Sequence, residues 1–335
     1  MIGRLLELAR LTSVRIVVAL CGIATALMIL RGLGWSTIGT ALVGAASYLP
    51  LLIALDACVV TCSMLALRSL YGDTARAIPL SQLVRAGVVG YAVQGLVPAG
   101  RAVAEVTRAA QLARWVGAGT AAAAATRMQA VVLIAGGAIS IPTAVAAYRA
   151  TGPSWIPLAI AIHGVVAFAI GSALLGVANR SAIGAWLGRR VSRAKSFGNE
   201  LDGALARTSA LPLRAIAWEL TGRCVQVVQN AVLIVSVGGA LRVGSALCSE
   251  GIHLVGAAVG DLVPGQLGVQ EGNFTIAAPA LGLSAAGAVS IALLAHLTQL
   301  VWVLVGSLVT LIWRPKPRDV TEPLDLLGSP PRSTS

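Results

Sequence analysis

Charge is scarce in this chain. Only 11% of its 335 residues are Asp, Glu, Lys or Arg, against 57% hydrophobic, and the mean hydropathy is +0.84. Two soluble domains would fit the length, but the polar surface they need is absent. No nucleophile motif, phosphate-binding loop or dinucleotide fingerprint is visible. The glycine-rich pieces sit in apolar stretches, not at a strand-to-helix turn. No loop is long enough for a soluble catalytic region, and no acidic metal-binding motif appears. The chain therefore reads as a non-enzyme with no cofactor. Metal-ligand spacing is also lacking. Cys58 and Cys62 share a helix face without a His, Asp or Glu to complete a set, and Cys21, Cys224 and Cys248 lie in apolar sequence. His163, His253 and His296 stand alone and read as hydrogen-bonded interior residues.

What is there instead is a series of long apolar runs. A membrane helix needs about 20 apolar residues. Six segments reach that length, near Val14–Leu30, Ile38–Leu67, Gly119–Tyr148, Trp155–Ala178, Leu213–Val237 and Ser284–Trp313. The net charge of +12 does not call for nucleic acid, because basic cytoplasmic loops account for it. Arg189, Arg190, Arg193 and Lys195 mark one such loop, Arg68, Arg76 and Arg85 a second, and Arg314, Lys316 and Arg318 the end of the last span. With Arg4, Arg10 and Arg15 ahead of a retained first helix, both termini are expected inside. The links near Gly34 and Pro153 then face outside. Trp35, Trp155, Trp218 and Trp313 fall near span ends, as interfacial anchors do. The Pro- and Ser-rich stretch 314–335 reads as a disordered cytoplasmic tail after a membrane domain over 1–313.

Two regions interrupt the pattern, Ser81–Trp115 and Arg242–Gly282, and each holds a copy of one short motif. Leu96 to Glu105 and Leu262 to Glu271 align without gaps at Leu, Val, Pro, Val and Glu. Pro98, Gly100, Pro264, Gly265 and Gly268 break a helix beside a carboxylate. A lipid-facing break would leave peptide groups unsatisfied, so each region is expected as a re-entrant helical hairpin enclosed by protein. The order helix, helix, hairpin, helix then occurs twice, over about 11–150 and 155–313. Three spans per half give the halves opposite topology. The expected fold is all-α, a polytopic membrane bundle of two inverted repeats whose broken segments meet near the midplane. Fully spanning hairpin arms, with eight or more crossings, are the alternative.

Ionisable groups in such segments are costly and are functional by default. Glu105 and Glu271 lead as proton-coupling or headgroup-binding carboxylates, or as caps for the amides freed at the breaks. Arg101 and Arg108 flank Glu105, and Arg101 could grip a phosphate or neutralise Glu105. Arg127 could line the same cavity or snorkel to the interface. Asp56 and Asp261 read as satisfied interior groups or relays. Glu219 and Arg223, four residues apart, read as a structural pair.

The stretch Pro264 to Gly272 resembles the second signature of the lysylphosphatidylglycerol synthase transmembrane-domain family, also described as flippase-like integral membrane proteins. Pro98 to Arg108 resembles the first signature, and Arg127 a further family position. Ala104 and Thr126 depart from it, standing where a Gly and an acidic residue are usual. The resemblance covers roughly Leu11–Trp313. It implies a bacterial inner-membrane protein that moves a lipid between leaflets. The implied cargo is an anionic phospholipid, a polyprenyl-phosphate-linked lipid or a hopanoid. Two other readings stay open: a subunit that presents lipid to a separate synthesis enzyme, and a lipid-linked transferase.

Overall fold

The computed structural model describes residues 43–180, 183–190, 195–207 and 210–313, together with Arg31 and Gly39. The first expected span, Trp35, Cys21 and the tail fall outside the described residues. The described part is all-helical: α1 (Leu49–Leu70), α2 (Leu80–Leu96), α3 (Gly100–Val116), α4 (Ala118–Thr151), α5 (Trp155–Arg180), α6 (Ile183–Arg190), α7 (Lys195–Arg207), α8 (Leu213–Ser236), α9 (Val243–Gly260), α10 (Val269–Leu281) and α11 (Ala285–Ile312).

Among the described residues, five segments are long and apolar enough to cross a membrane: Val43–Leu70, which contains α1, then α4, α5, α9 and α11. Helix α8 occupies the fifth expected span over 24 residues. It misses that measure because Glu219, Arg223, Gln226, Gln229 and Asn230 lower its hydropathy. One hairpin arm, α9, does reach it with 18 residues.

Both hairpins are present, and each breaks at its motif. Helices α2 and α3 pack together across a three-residue break at 97–99, and α9 and α10 across an eight-residue break at 261–268. Ala99 is left-handed at φ 53°, and a Cβ on Gly100 would collide with the Gln94 carbonyl. The second break holds a short 3-10 turn, Pro264–Gln266, and left-handed residues at Gly265, Gln266 and Gly268. The Ala99 N–H donates to the Asp261 carbonyl at 2.6 Å, so the two tips touch through the backbone each break has freed.

Two apolar clusters bracket the middle of the bundle. One joins Leu52 of α1 to Ile234 of α8, Phe274 of α10 and Ile291 of α11. The other joins Leu67 and Leu70 of α1 to Leu83, Leu112, Met128 and Ala215. Helices α1 and α8 run antiparallel through both, so their central turns face neither cluster. The second cluster's end of the bundle is where charges collect. There Arg85 donates to the Trp313 carbonyl at 3.1 Å and to Gln111 at 2.8 Å. Glu200 of α7 accepts from the Thr120 amide at 3.2 Å, and Asp202 accepts from the Gly184 and Ala185 amides at 2.7 and 2.8 Å, capping α6. The segments expected to be cytoplasmic therefore gather at one end.

Small residues let α4 and α5 approach closely, as membrane helices require. A Cβ at Gly164 would sit 2.7 Å from the Ser140 Cβ, and one at Gly171 2.8 Å from the Ala130 carbonyl. Gly164→Leu should lower stability by about 1–3 kcal/mol through overpacking. Thermal unfolding in detergent checks this, with the exposed Val165→Leu as control.

Candidate functional site

The central turns of α1 and α8 face a cavity of about 180 Å³ between the two hairpins. Helices α2, α3, α9, α10 and α11, Val132 of α4 and the second break complete its wall. Its volume is below the roughly 300 Å³ of a site that encloses a whole drug-sized ligand. It suits a headgroup whose apolar chains stay outside.

Of the residues singled out from sequence, Arg101, Glu105, Arg108, Gly100 and Gly265 line this cavity. Glu105 and Arg108, 3% and 5% exposed, form an ion pair along one face of α3. Arg108 fits only because Gly90 lies against it, where a Cβ would come within 2.5 Å of Nε. Glu105 Oε2 and Arg108 Nε have no hydrogen-bond partner among the described residues. Arg101 differs. Its carbonyl accepts from Gln129 at 3.3 Å, but its guanidinium makes no ion pair with any described residue. It is the cavity's available cation.

Glu271 does not line the cavity. One oxygen accepts from the Gly268 amide at 2.8 Å, capping the start of α10, and the other faces His296 Nε2 at 3.3 Å. Glu271 is fully buried, and His296 stands between it and the cavity. Glu105 and Glu271 coincide in the gapless alignment, yet their positions are not equivalent. The longer second break starts α10 two residues before Glu271, whereas α3 starts five residues before Glu105. Pro98, Pro264 and Gly268 shape the tips without facing the cavity. Arg127 is also away from it. The side chain is 1% exposed and donates to Asn179 at 2.9 Å and to the Leu205 carbonyl at 2.8 Å, tying α4 to α5 and α7.

The expected Glu219–Arg223 pair does not form. Arg223 instead lies 3.6 Å from Glu250 of α9 and donates to Gln226 at 2.8 Å. Spacing along one helix cannot reveal a partner on the next. Glu250 also accepts from Asn230 at 3.0 Å, and Asn230 accepts from Ser249 at 2.6 Å. Sequence reasoning missed Glu250. Its only signal was a charge inside an apolar run, beside no motif. Glu219 lines the cavity with Oε1 unpartnered. Asp56 accepts from Gln229 at 2.9 Å and from Tyr91 at 3.2 Å, so it is hydrogen-bonded where it lines the cavity. Among the described residues no group of His, Cys, Asp or Glu could hold a metal ion.

A membrane bundle with two motif-bearing hairpins was the architecture expected from the apolar runs and the two Pro/Gly breaks. The family model for the lysylphosphatidylglycerol synthase TM region matches residues 11–306. The chain belongs to that family. No curated protein and no solved structure matches it. Family membership fits a multi-pass membrane protein tied to lipid handling, with the matched region covering both hairpins and every cavity-lining residue.

The buried Arg223–Glu250 contact sets a stability expectation. Glu250→Leu leaves Arg223, 6% exposed, without its carboxylate. Loss of one partner of a buried pair costs about 3–5 kcal/mol. Denaturant unfolding should show it, and the double variant Glu250→Leu/Arg223→Met should recover part of the loss.

Proposed function

We propose that this protein moves a polar-headed lipid between the leaflets of a bacterial inner membrane. The observation that carries the reading is the contact of the two broken hairpins beside a polar cavity in mid-bundle. Broken helices in corresponding places of two halves are the best pointer to a transporter's binding site. On this reading the two halves are inverted repeats, both termini are cytoplasmic, and the hairpins enter from opposite sides. The headgroup crosses through the cavity while the acyl chains remain in lipid. Arg101 meets a headgroup phosphate, since Arg108 is already held by Glu105. Access alternates as the tip contact between Ala99 and Asp261 breaks and re-forms. Glu105 and Glu271 exchange protons or partners in that step. Glu105 can do so through Arg108, and Glu271 through His296, which faces it from the cavity wall.

No step in this scheme makes or breaks a covalent bond, and it calls for no cofactor. Its partners are membrane lipids and, where the lipid is made nearby, a synthesis enzyme. The polar wall also fits a subunit that presents lipid to such an enzyme without moving it.

Reconstitution in liposomes with labelled lipids separates the two. Exchange of one lipid class between leaflets is expected for the wild type, reduced at least tenfold in Glu105→Gln/Glu271→Gln of intact fold. Absence of exchange for every lipid tested, in folded protein, would reject transport and leave presentation. Full exchange in the double variant would reject the role given to the two carboxylates. His296→Gln of intact fold should also slow exchange in the same assay, because Glu271 then loses its contact on the cavity side.

A further inference from the structure

A second and larger cavity, of about 560 Å³, lies at the charged end of the bundle. Its wall comes from the end of α1 with the 3-10 turn that follows, the first turns of α4, the end of α7 and the start of α8. It shares no lining residue with the cavity between the hairpins. Leu70, Ala124 and Ala215, buried members of the second apolar cluster, form part of it. The start of α8 is the unusual part of this wall. Pro212 precedes the helix, no side chain caps it and its first turn holds no acid. The Leu213 N–H reaches the Leu211 carbonyl at 2.9 Å, and the Ile216 N–H reaches the Pro212 carbonyl at 3.0 Å. Between them, the amides of Arg214 and Ala215 have no partner among the described residues. Ala215 is fully buried, where an unsatisfied N–H is costly.

The side chains around these amides add to their positive charge. Arg214 stands in the first turn of α8, where a cation is unfavourable because the helix dipole is already positive there. Arg207, in the last turn of α7, lines the same cavity. Neither makes an ion pair with a described residue. Asp73 is the one carboxylate among the described lining residues, and two cations with a helix N-terminus outweigh it. Tyr71 supplies a further donor. It is 5% exposed, lines this cavity, and its Oη has no partner among the described residues. These donors stand on three elements, and they suit one group. A phosphate monoester offers three terminal oxygens and nearly two charges, whereas a carboxylate offers two oxygens and one charge. We propose that this second cavity binds a terminal phosphate monoester, held by the first turn of α8 with Arg207, Arg214 and Tyr71. The volume falls within the roughly 300–1,000 Å³ of small-molecule sites, so the group that carries the phosphate fits beside it, against Leu70 and Ala124. A soluble phosphate ester and a lipid with a terminal phosphate present the same chemistry here. The site stands independently of the transport reading.

The test is isothermal titration calorimetry of the full purified chain in detergent. The probes are phenyl phosphate, dihexanoyl phosphatidic acid and, as a diester, dihexanoyl phosphatidylglycerol. A monoester should bind with a stoichiometry of about one, and the diester about tenfold more weakly. Tighter binding of phenyl phosphate identifies a soluble carrier, and tighter binding of phosphatidic acid a lipid-borne one. Arg207→Gln/Arg214→Gln should weaken monoester binding about tenfold or more. Both side chains are exposed, so this variant should keep its fold. Arg207→Lys/Arg214→Lys, which keeps the charge, should recover part of the affinity. Tyr71→Phe, which keeps the ring and removes the donor, should weaken binding about threefold. No binding of either monoester by the wild type, equal binding of the diester, or unchanged affinity in the glutamine variant would overturn the proposal. A loss in Arg101→Gln as large as that in Arg207→Gln/Arg214→Gln would place the phosphate in the cavity between the hairpins and overturn it as well.

Discussion

A peptide group released from a helix inside a membrane must find a partner within the protein, because lipid offers none. That constraint organises this molecule. Two breaks free backbone groups at the centre of an apolar bundle, and the structure resolves them in two ways. Ala99 and Asp261 pair the breaks with each other, and Glu271 turns back to cap the Gly268 amide. The first solution needs both hairpins in place, whereas the second lies within one hairpin, across three residues.

The same rule applied to side chains produces the cavity. Helix α8 places Glu219, Arg223, Gln226, Gln229 and Asn230 where a span would normally be apolar. Their partners are Glu250 on α9 and Asp56 on α1, each supplied from another element. Polar groups thus collect between two apolar clusters that close the bundle toward its ends. On the proposed reading a lipid headgroup crosses in that middle layer, where the burial of charged groups and the path share one geometry.

Two breaks of different length carry different duties. In α3 the carboxylate of Glu105 lies a full turn inside the helix and faces the cavity with Arg108. In α10 the carboxylate of Glu271 is spent on the helix start and reaches the cavity only through His296. The same short motif thus serves one cavity-facing pair and one helix cap, because positions that are helical in the first copy are unwound in the second.

Much of the fold was legible in the residues. Apolar runs of about 20 residues give spans, because hydrocarbon demands that length. Pro98 with Gly100, and Pro264 with Gly265 and Gly268, located both breaks, because those residues lack a donor or tolerate left-handed backbone. The hairpins, the clustering of basic segments at one end and the family followed from such local rules. Partners did not. Arg223 with Glu250, Arg127 with Asn179, and Tyr71 with Arg207 and Arg214 around one cavity, join residues far apart in the chain, and spacing along one helix carries no record of what the next helix presents. Sequence by itself determined which segments are helical, where they break and which charges are buried. Only the tertiary structure decided which charge meets which and what is left facing the cavity, because in a site closed to water each polar group is defined by the neighbour that satisfies it.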